Sequence, residues 1–244
     1  MKFPDNLTGP QFAEGDLVSF IFDESELTVR APKVPYNTNT INEICRERDL
    51  RNANTTSWEH FGTEGHCSKE LLVQTWNYED SISHDDIAHV VLKLVVVKNS
   101  DEETASCFSL NNLSFRNDLL SGLKEHHAMS PPKGRAYWPS EENNYFLKAI
   151  PRDLLDGLQA QFAKGGGQKY PVPSAFFPLG RQYTLRISFN FVSLHYYDDR
   201  VNPYSEELLQ QFKLDAFDDF LSHIRIEYTP ETIALIQKLK ENQQ

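Results

Sequence analysis

Carboxylates and tyrosines are concentrated in one stretch near the C-terminus. Between Asp198 and Glu227 acidic residues outnumber basic ones, and tyrosines precede them. Carboxylates form charge-assisted hydrogen bonds with Arg and Lys, and Tyr is a frequent anchor of protein interfaces. The chemistry predicted here is therefore recognition of a cationic partner protein, through Tyr196, Tyr197, Asp198, Asp199, Tyr204, Glu207, Asp215, Asp218 and Asp219.

A helix must position most of these side chains. Ser205 is a favourable N-cap for a helix over 205–224, and an advance of about 100° per residue divides its side chains into two arcs. Leu209, Ala216, Phe217, Phe220, Leu221 and Ile224 share the apolar arc, and Glu207, Asp215, Asp218 and Asp219 share the opposite one. The acidic arc is either a docking surface or the ordinary solvated face of an amphipathic helix.

A second group, His84, Asp85, Asp86 and His89, combines imidazole with carboxylate. Such groups suit metal binding or acid-base catalysis. Residues five apart lie about 140° apart on a helix and on opposite faces of a strand, so His84 and His89 do not share one metal ion. We predict a polar turn here, with no metal site and no cofactor.

The net charge limits the class of partner. The chain has 244 residues and a formal charge of -11, from 24 Lys and Arg against 35 Asp and Glu. Long-range repulsion opposes encounter with nucleic acid or an anionic membrane, so a cationic protein is the expected partner.

Cysteine usage and hydropathy predict the compartment. Cys45, Cys67 and Cys107 have the spacing of neither a disulfide framework nor a zinc site. No apolar run is long enough to span a membrane, and the N-terminus has no apolar leader region. We expect a soluble cytoplasmic protein, or a periplasmic one if a leader was removed before Met1.

Strand-like and helix-like segments alternate irregularly along the chain. Strands are predicted at Leu17–Phe22, Leu27–Ala31, Leu71–Tyr78, Ile87–Lys98, Tyr145–Ile150, Tyr183–Phe191 and Arg225–Tyr228. Helices are predicted from Ser114 to about residue 128, from Pro151 through Phe162, over 205–224 and from Pro230 to about Asn242, with a short helical possibility at Ile41–Leu50. Prolines between 165 and 180 predict a long loop.

This order predicts an α+β fold of antiparallel sheets with helices packed on them. The chain divides into N-terminal and C-terminal α+β halves, residues 1–130 and 145–244, joined by a connector at 131–144. The halves form either two similar sheet-plus-helix units or a single domain.

The segment from Phe217 to Ile226 joins an aromatic-x-x-aromatic-Leu helix end to a short strand. This ending resembles the close of sheet-plus-helix domains in bacterial immunity proteins that oppose type VI secretion effectors. The resemblance covers the C-terminal portion of the chain. It implies a non-catalytic inhibitor that binds a cognate toxin.

The leading hypothesis is therefore an immunity protein that occludes the basic active-site cleft of a toxin with its acidic surface. Tight binding also requires buried anchors, because an exposed ion pair contributes only about 0.2–1 kcal/mol. Tyr196, Tyr197 and Tyr204 are the predicted anchors. The alternatives are a hydrolase that uses the acidic and His residues, and a self-associating phage or envelope subunit.

Overall fold

The computed structural model describes residues 7–33, 40–51, 53, 55–61, 66–98, 110–128, 147–162, 172–193 and 204–242. Its strands are β1 (Leu7–Thr8), β2 (Asp16–Ile21), β3 (Ser25–Ala31), β4 (Asn42–Ile44), β5 (Glu59–Phe61), β6 (His66–Asp80), β7 (Asp86–Lys98), β8 (Lys148–Ile150), β9 (Gly157–Phe162), β10 (Val172–Pro178), β11 (Tyr183–Ser193) and β12 (Ile224–Tyr228). Its helices are α1 (Asn112–Ala128), α2 (Glu206–Ser222) and α3 (Pro230–Glu241).

Two antiparallel sheets confirm the predicted α+β class. In the described part of the chain, nine strands form the large sheet, ordered β1-β6-β7-β11-β10-β9-β8, with β4 and β5 also paired to β6. The small sheet has the order β12-β3-β2. Each sheet therefore contains strands from both the N-terminal and the C-terminal part of the chain.

The centre of the large sheet follows from the apolar runs of β7 and β11. Val90, Leu92, Leu94 and Val96 are fully buried on one face of β7, and the residues between them are half-buried. This face, with Leu185, Ile187 and Phe189 of β11, is the core face of the sheet. The small sheet and α2 pack on it, because their apolar residues belong to the same core cluster.

Helix α1 covers part of the opposite face. Phe115 and Leu119 pack against Leu158, Ala160 and Phe176 of β9 and β10. The cap of α1 differs from the predicted one. The side chain of Asn111, rather than that of Ser114, accepts hydrogen bonds from the first backbone N–H groups of the helix.

Three sequence predictions of secondary structure are wrong. Residues 157–162 form β9 instead of a helix, and Val172–Pro178 form β10 instead of a loop. Every residue of β10 is buried between β9 and β11, so sheet pairing and burial override the proline signal. The helical possibility at Ile41–Leu50 is also wrong, because β4 pairs with β6 there.

Hydrogen bonds join the two sheets near Gly180. Ser25 Oγ donates to the carbonyl of Leu179 at 2.5 Å, and Tyr228 OH donates to the carbonyl of Pro178 at 2.6 Å. The Glu24 carboxylate also accepts from Arg181 Nε at 2.7 Å. Gly180 has φ of +149°, and a Cβ there would lie 2.5 Å from the Glu24 carboxylate, so only glycine fits this turn without strain.

Aromatic rings fix α2 on the core face. Phe212 packs edge-on against Tyr78, with ring centroids 4.7 Å apart. Phe217 lies 5.7 Å from the Phe189 ring. Such contacts add to the free energy gained by burying the rings. Because rotating α2 would break them, Phe212 and Phe217 fix the rotation of the helix about its own axis.

Replacing Phe217 with Ala tests this packing. Phe217 is fully buried, and its truncation leaves a cavity, so the free energy of unfolding should fall by about 3–5 kcal/mol. The matched control is Leu208→Ala on the same helix, where 39% of the residue is exposed, and the change should stay within about 0.5 kcal/mol. Urea unfolding followed by tryptophan fluorescence measures both. Equal losses in the two variants would contradict the packing.

Candidate functional site

Five of the nine predicted partner-binding residues lie in the described part of the chain. Tyr196, Tyr197, Asp198 and Asp199 lie outside it. The others are Tyr204, which precedes the N-cap of α2, and Glu207, Asp215, Asp218 and Asp219 on the helix itself.

The start of α2 follows directly from the sequence. Ser205 is the N-cap, as predicted, and its side chain accepts a hydrogen bond from the backbone N–H of Leu208 at 3.2 Å. Glu206 and Glu207 follow in the first turn, where the positive end of the helix dipole favours carboxylates.

Burial divides α2 into two sides, as its periodicity predicts. The buried side contains Leu209, Phe212, Lys213, Ala216, Phe217, Phe220 and Leu221. The solvent side contains Glu207, Gln211, Asp215, Asp218, Asp219 and Ser222. We call the carboxylates of this side, Glu207, Asp215, Asp218 and Asp219, the acidic face.

Within the described residues, no Lys or Arg side chain neutralises the acidic face. Glu207 and Asp218 have no ion-pair partner there, and Asp215 accepts a neutral hydrogen bond from Gln211 Nε2 at 2.7 Å. Asp219 lies 3.7 Å from His223 Nε2. The single lysine of α2, Lys213, is on the buried side, and burial lowers its pKa to about 8.

The position of the acidic face on the helix has a cost in stability. Asp218 and Asp219 lie in the last turns of α2, where the negative end of the helix dipole disfavours carboxylates. Asp215 and Asp219 are also four residues apart, which places like charges side by side. Gln211 offsets this cost at Asp215, but neither arrangement stabilises the helix at Asp218 or Asp219, so helix stability does not explain those two residues.

An exposed leucine adjoins the acidic face. Leu208 is one of the large apolar side chains that remain exposed, at 39%. It precedes Asp215 by seven residues, so the two lie on nearly the same side of α2. The sequence analysis did not single out Leu208, because it lies next to another leucine, Leu209, which is buried. Only the angular positions of the two residues around the helix axis distinguish the exposed leucine from the buried one.

Tyr204 is attached to the turn between β6 and β7. Its phenol donates to Asp80 Oδ2 at 2.5 Å. The other oxygen of Asp80 accepts from the backbone N–H groups of Ile82, at 2.8 Å, and Ser83, at 3.0 Å. Asp80 is buried and was not a predicted site residue.

The contact shifts the pKa of both Asp80 and Tyr204. The hydrogen bond from Tyr204, with those from Ser83 and Ile82, lowers the pKa of the Asp80 carboxyl. Desolvation and the neighbouring Asp80 carboxylate raise the pKa of Tyr204 to about 12. At neutral pH the pair is an anion held by a neutral phenol. Because Asp80 is fully engaged, it is poorly suited to accept a proton from a substrate.

The two histidines of the other titratable cluster, His84 and His89, lie in different surroundings, as their spacing predicts. His84 is exposed in the β6–β7 turn with φ of 58°, whereas His89 lies in β7 and its Nδ1 is 2.8 Å from Asn77 Oδ1. Asn77 in turn donates to Asp86 at 2.8 Å. Among the described residues, no group of three or more His, Cys, Asp or Glu side chains is arranged to hold a metal ion.

No family model, curated protein or solved structure matches the chain. Within the described residues, none of the helices has the length and apolar character needed to cross a membrane. Function is therefore inferred from the geometry of α2 and its surroundings.

Replacing Tyr204 with Phe tests the contact with Asp80 through its pH dependence. A carboxyl whose folded pKa is lowered stabilises the protein above its unfolded pKa, about 3.9, and that stability is lost as pH falls through the folded pKa. Tyr204→Phe should therefore lower the melting temperature at pH 7, and the difference from wild type should shrink below about pH 4.

The matched control is Tyr228→Phe. The Tyr228 hydroxyl donates to a backbone carbonyl, which does not titrate, so the loss of melting temperature should be constant between about pH 3 and 7. Scanning calorimetry across this range compares the two variants. The same pH dependence in both would show that Asp80 does not couple to Tyr204.

Proposed function

We propose that the chain is a non-catalytic binding protein that neutralises a toxin or effector protein by placing the acidic face of α2 against its basic cleft. The observation that carries the proposal is a concentration of carboxylates that no Lys or Arg of the described chain neutralises. They lie on a helix whose other side is locked into the core. The resemblance at Phe217–Ile226 to immunity proteins supports the toxin as the kind of partner.

The geometry of α2 suits occlusion of a cleft. Seventeen residues of helix extend about 25 Å, long enough to span an active-site cleft. Because Phe212 and Phe217 are buried against the sheet, α2 has little freedom to rotate and presents its carboxylates in one orientation. Such preorganisation reduces the entropy lost on binding.

Charge and anchoring have separate roles in this proposal. The acidic face attracts a cationic surface over long range and accelerates association. Exposed ion pairs contribute little affinity on their own, so apolar contact is also needed. Leu208 supplies it at the margin of the acidic face, whereas the Tyr204 hydroxyl is already occupied by Asp80.

Reversing Asp215, Asp218 and Asp219 to Lys together tests the acidic face. We expect the triple variant to lose its partner in a pull-down from source-cell lysate and, with the purified partner, to associate at least tenfold more slowly with a weaker salt dependence. The variant should remain folded, because lysines near the end of α2 are favoured by the helix dipole.

The control reverses Asp23, Glu43 and Glu59, exposed carboxylates on other elements, and changes net charge by the same amount. It should retain the partner. A toxin is identified separately: expression of the captured protein alone should arrest growth, and co-expression of the wild-type chain should restore it. Equal binding by both triple variants would remove the acidic face from the interface, and a captured protein without toxicity would reject the inhibitor.

Replacing Leu208 with Ala tests the anchor. Loss of its apolar contact should speed dissociation of the partner about fivefold, equivalent to about 1 kcal/mol, with association nearly unchanged. The control is Leu113→Ala on α1, where the leucine is 65% exposed against 39% for Leu208. Surface plasmon resonance with the purified partner gives both rates. Equal dissociation in the two variants would place Leu208 outside the interface.

A further inference from the structure

A turn at one end of the large sheet carries an exposed apolar side chain. Residues 81–85, which join β6 to β7, are all exposed. Ile82 in this turn is 73% exposed, more than any other large apolar side chain in the described part of the chain. Single exposed apolar residues are common on protein surfaces, but Ile82 is held by a fixed turn and surrounded by carboxylates.

Hydrogen bonds fix the backbone that carries Ile82. The Asp80 carboxylate accepts from the N–H groups of Ile82, at 2.8 Å, and Ser83, at 3.0 Å. Two backbone bonds close the turn, from the His84 N–H to the Asp80 carbonyl at 2.8 Å and from the Asp80 N–H to the Asp85 carbonyl at 3.0 Å. The backbone at Ile82 therefore has a defined position before any partner binds, which reduces the entropy lost on binding.

The turn itself does not require an isoleucine. Turns favour Gly, Pro, Asn, Asp and Ser, because these residues suit the backbone conformation or form hydrogen bonds with it. Asp80, Ser81 and Ser83 around Ile82 follow this rule. The Ile82 side chain forms no hydrogen bond and, at 73% exposure, gains little free energy from burial in the core. Neither the turn nor the core therefore explains an isoleucine at this position.

The charges around Ile82 limit what it can contact. Four carboxylates and neither Lys nor Arg occur in the segment Glu79–Asp86. Asp80 is buried, and the other three are exposed. Such a surface attracts cations and opposes encounter with an anionic membrane or nucleic acid. The occupant that matches it is a protein with an apolar pocket rimmed by Lys or Arg.

The turn adjoins the start of α2. Ile82 and Tyr204 bind the two oxygens of one carboxylate, since the Tyr204 hydroxyl donates to Asp80 Oδ2 at 2.5 Å. Phe212 packs on Tyr78, which precedes the turn, with ring centroids 4.7 Å apart. These contacts place the turn at the N-terminal end of α2, where the acidic face begins.

We propose that the β6–β7 turn is a second contact element of the partner interface, and that it inserts Ile82 into an apolar pocket of the cationic protein bound by the acidic face. This inference rests on the proposed function, because it assigns one partner to both elements. The carboxylates of α2 accelerate association, and the apolar contact of Ile82 slows dissociation.

Photo-cross-linking tests whether the two elements meet one partner. p-Benzoylphenylalanine is introduced in place of Ser81 in the turn, of Leu208 on α2 and, as a control, of Leu17 on β2, where the leucine is 63% exposed. Each full chain is irradiated with the protein that wild type captures from source-cell lysate, and the products are identified by mass. We expect cross-links to that protein from positions 81 and 208, and none from position 17.

Replacing Ile82 with Ala tests the anchor itself. Loss of the apolar contact should speed dissociation of the purified partner about tenfold and leave association and its salt dependence nearly unchanged. The matched control Leu17→Ala shortens a similarly exposed side chain on the small sheet and should dissociate like wild type. Both variants should keep the wild-type melting temperature, because neither side chain belongs to the core. Surface plasmon resonance gives the rates, and scanning calorimetry gives the melting temperatures.

The outcomes separate failure of the turn from failure of the proposed function. Cross-links from position 208 without position 81, or equal dissociation of wild type and Ile82→Ala, would overturn the turn and leave the acidic face in place. Cross-links from position 81 alone would support Ile82 as a docking residue and reject the acidic face. Cross-links from the two positions to different proteins, or equal cross-linking from position 17, would overturn the shared interface. Cross-links from neither element would reject both proposals.

Discussion

The packing of α2 against the large sheet is the constraint on which the rest of the surface depends. Phe212, Phe217 and Phe220 lie in the same core as Trp76 and Phe189, so the helix cannot turn without exposing buried rings. Each buried aromatic side chain contributes on the order of 2 kcal/mol, far more than any surface ion pair. The core therefore decides which residues of α2 face solvent, and the carboxylates occupy the positions that remain.

The carboxylates at the two ends of α2 affect the stability of the helix in opposite ways. Glu206 and Glu207 suit the first turn of the helix, whereas Asp218 and Asp219 oppose the dipole at its other end. Each unfavourable carboxylate costs a few tenths of a kcal/mol, a loss that a well-packed helix tolerates.

Local signals in the sequence predicted the elements whose patterns are unambiguous. The cap at Ser205 identified the start of α2, the proline at Pro230 identified the start of α3, and the alternation of apolar and polar residues identified β11. The same local reasoning failed at β9 and β10, where a leucine spacing suits a helix and prolines suit a loop. Pairing with other strands determined the conformation of both segments. The local sequence pattern does not reveal such pairing. Asp80 was missed for the same reason, since its partner Tyr204 lies far along the chain.

Two sets of charges have no counter-ion among the described residues, and they differ in how well water reaches them. Glu207 and Asp218 are exposed, so water solvates them and an absent partner costs little. Arg186 is half-buried between Phe176 and Val95, with buried hydroxyls nearby that also have no partner among the described residues. Water reaches such groups poorly, so leaving them unpaired costs more stability than leaving exposed carboxylates unpaired. The alternation of polar and apolar residues in β11 could not reveal this difference, because it reports which side of the sheet a residue faces and not whether that side is covered.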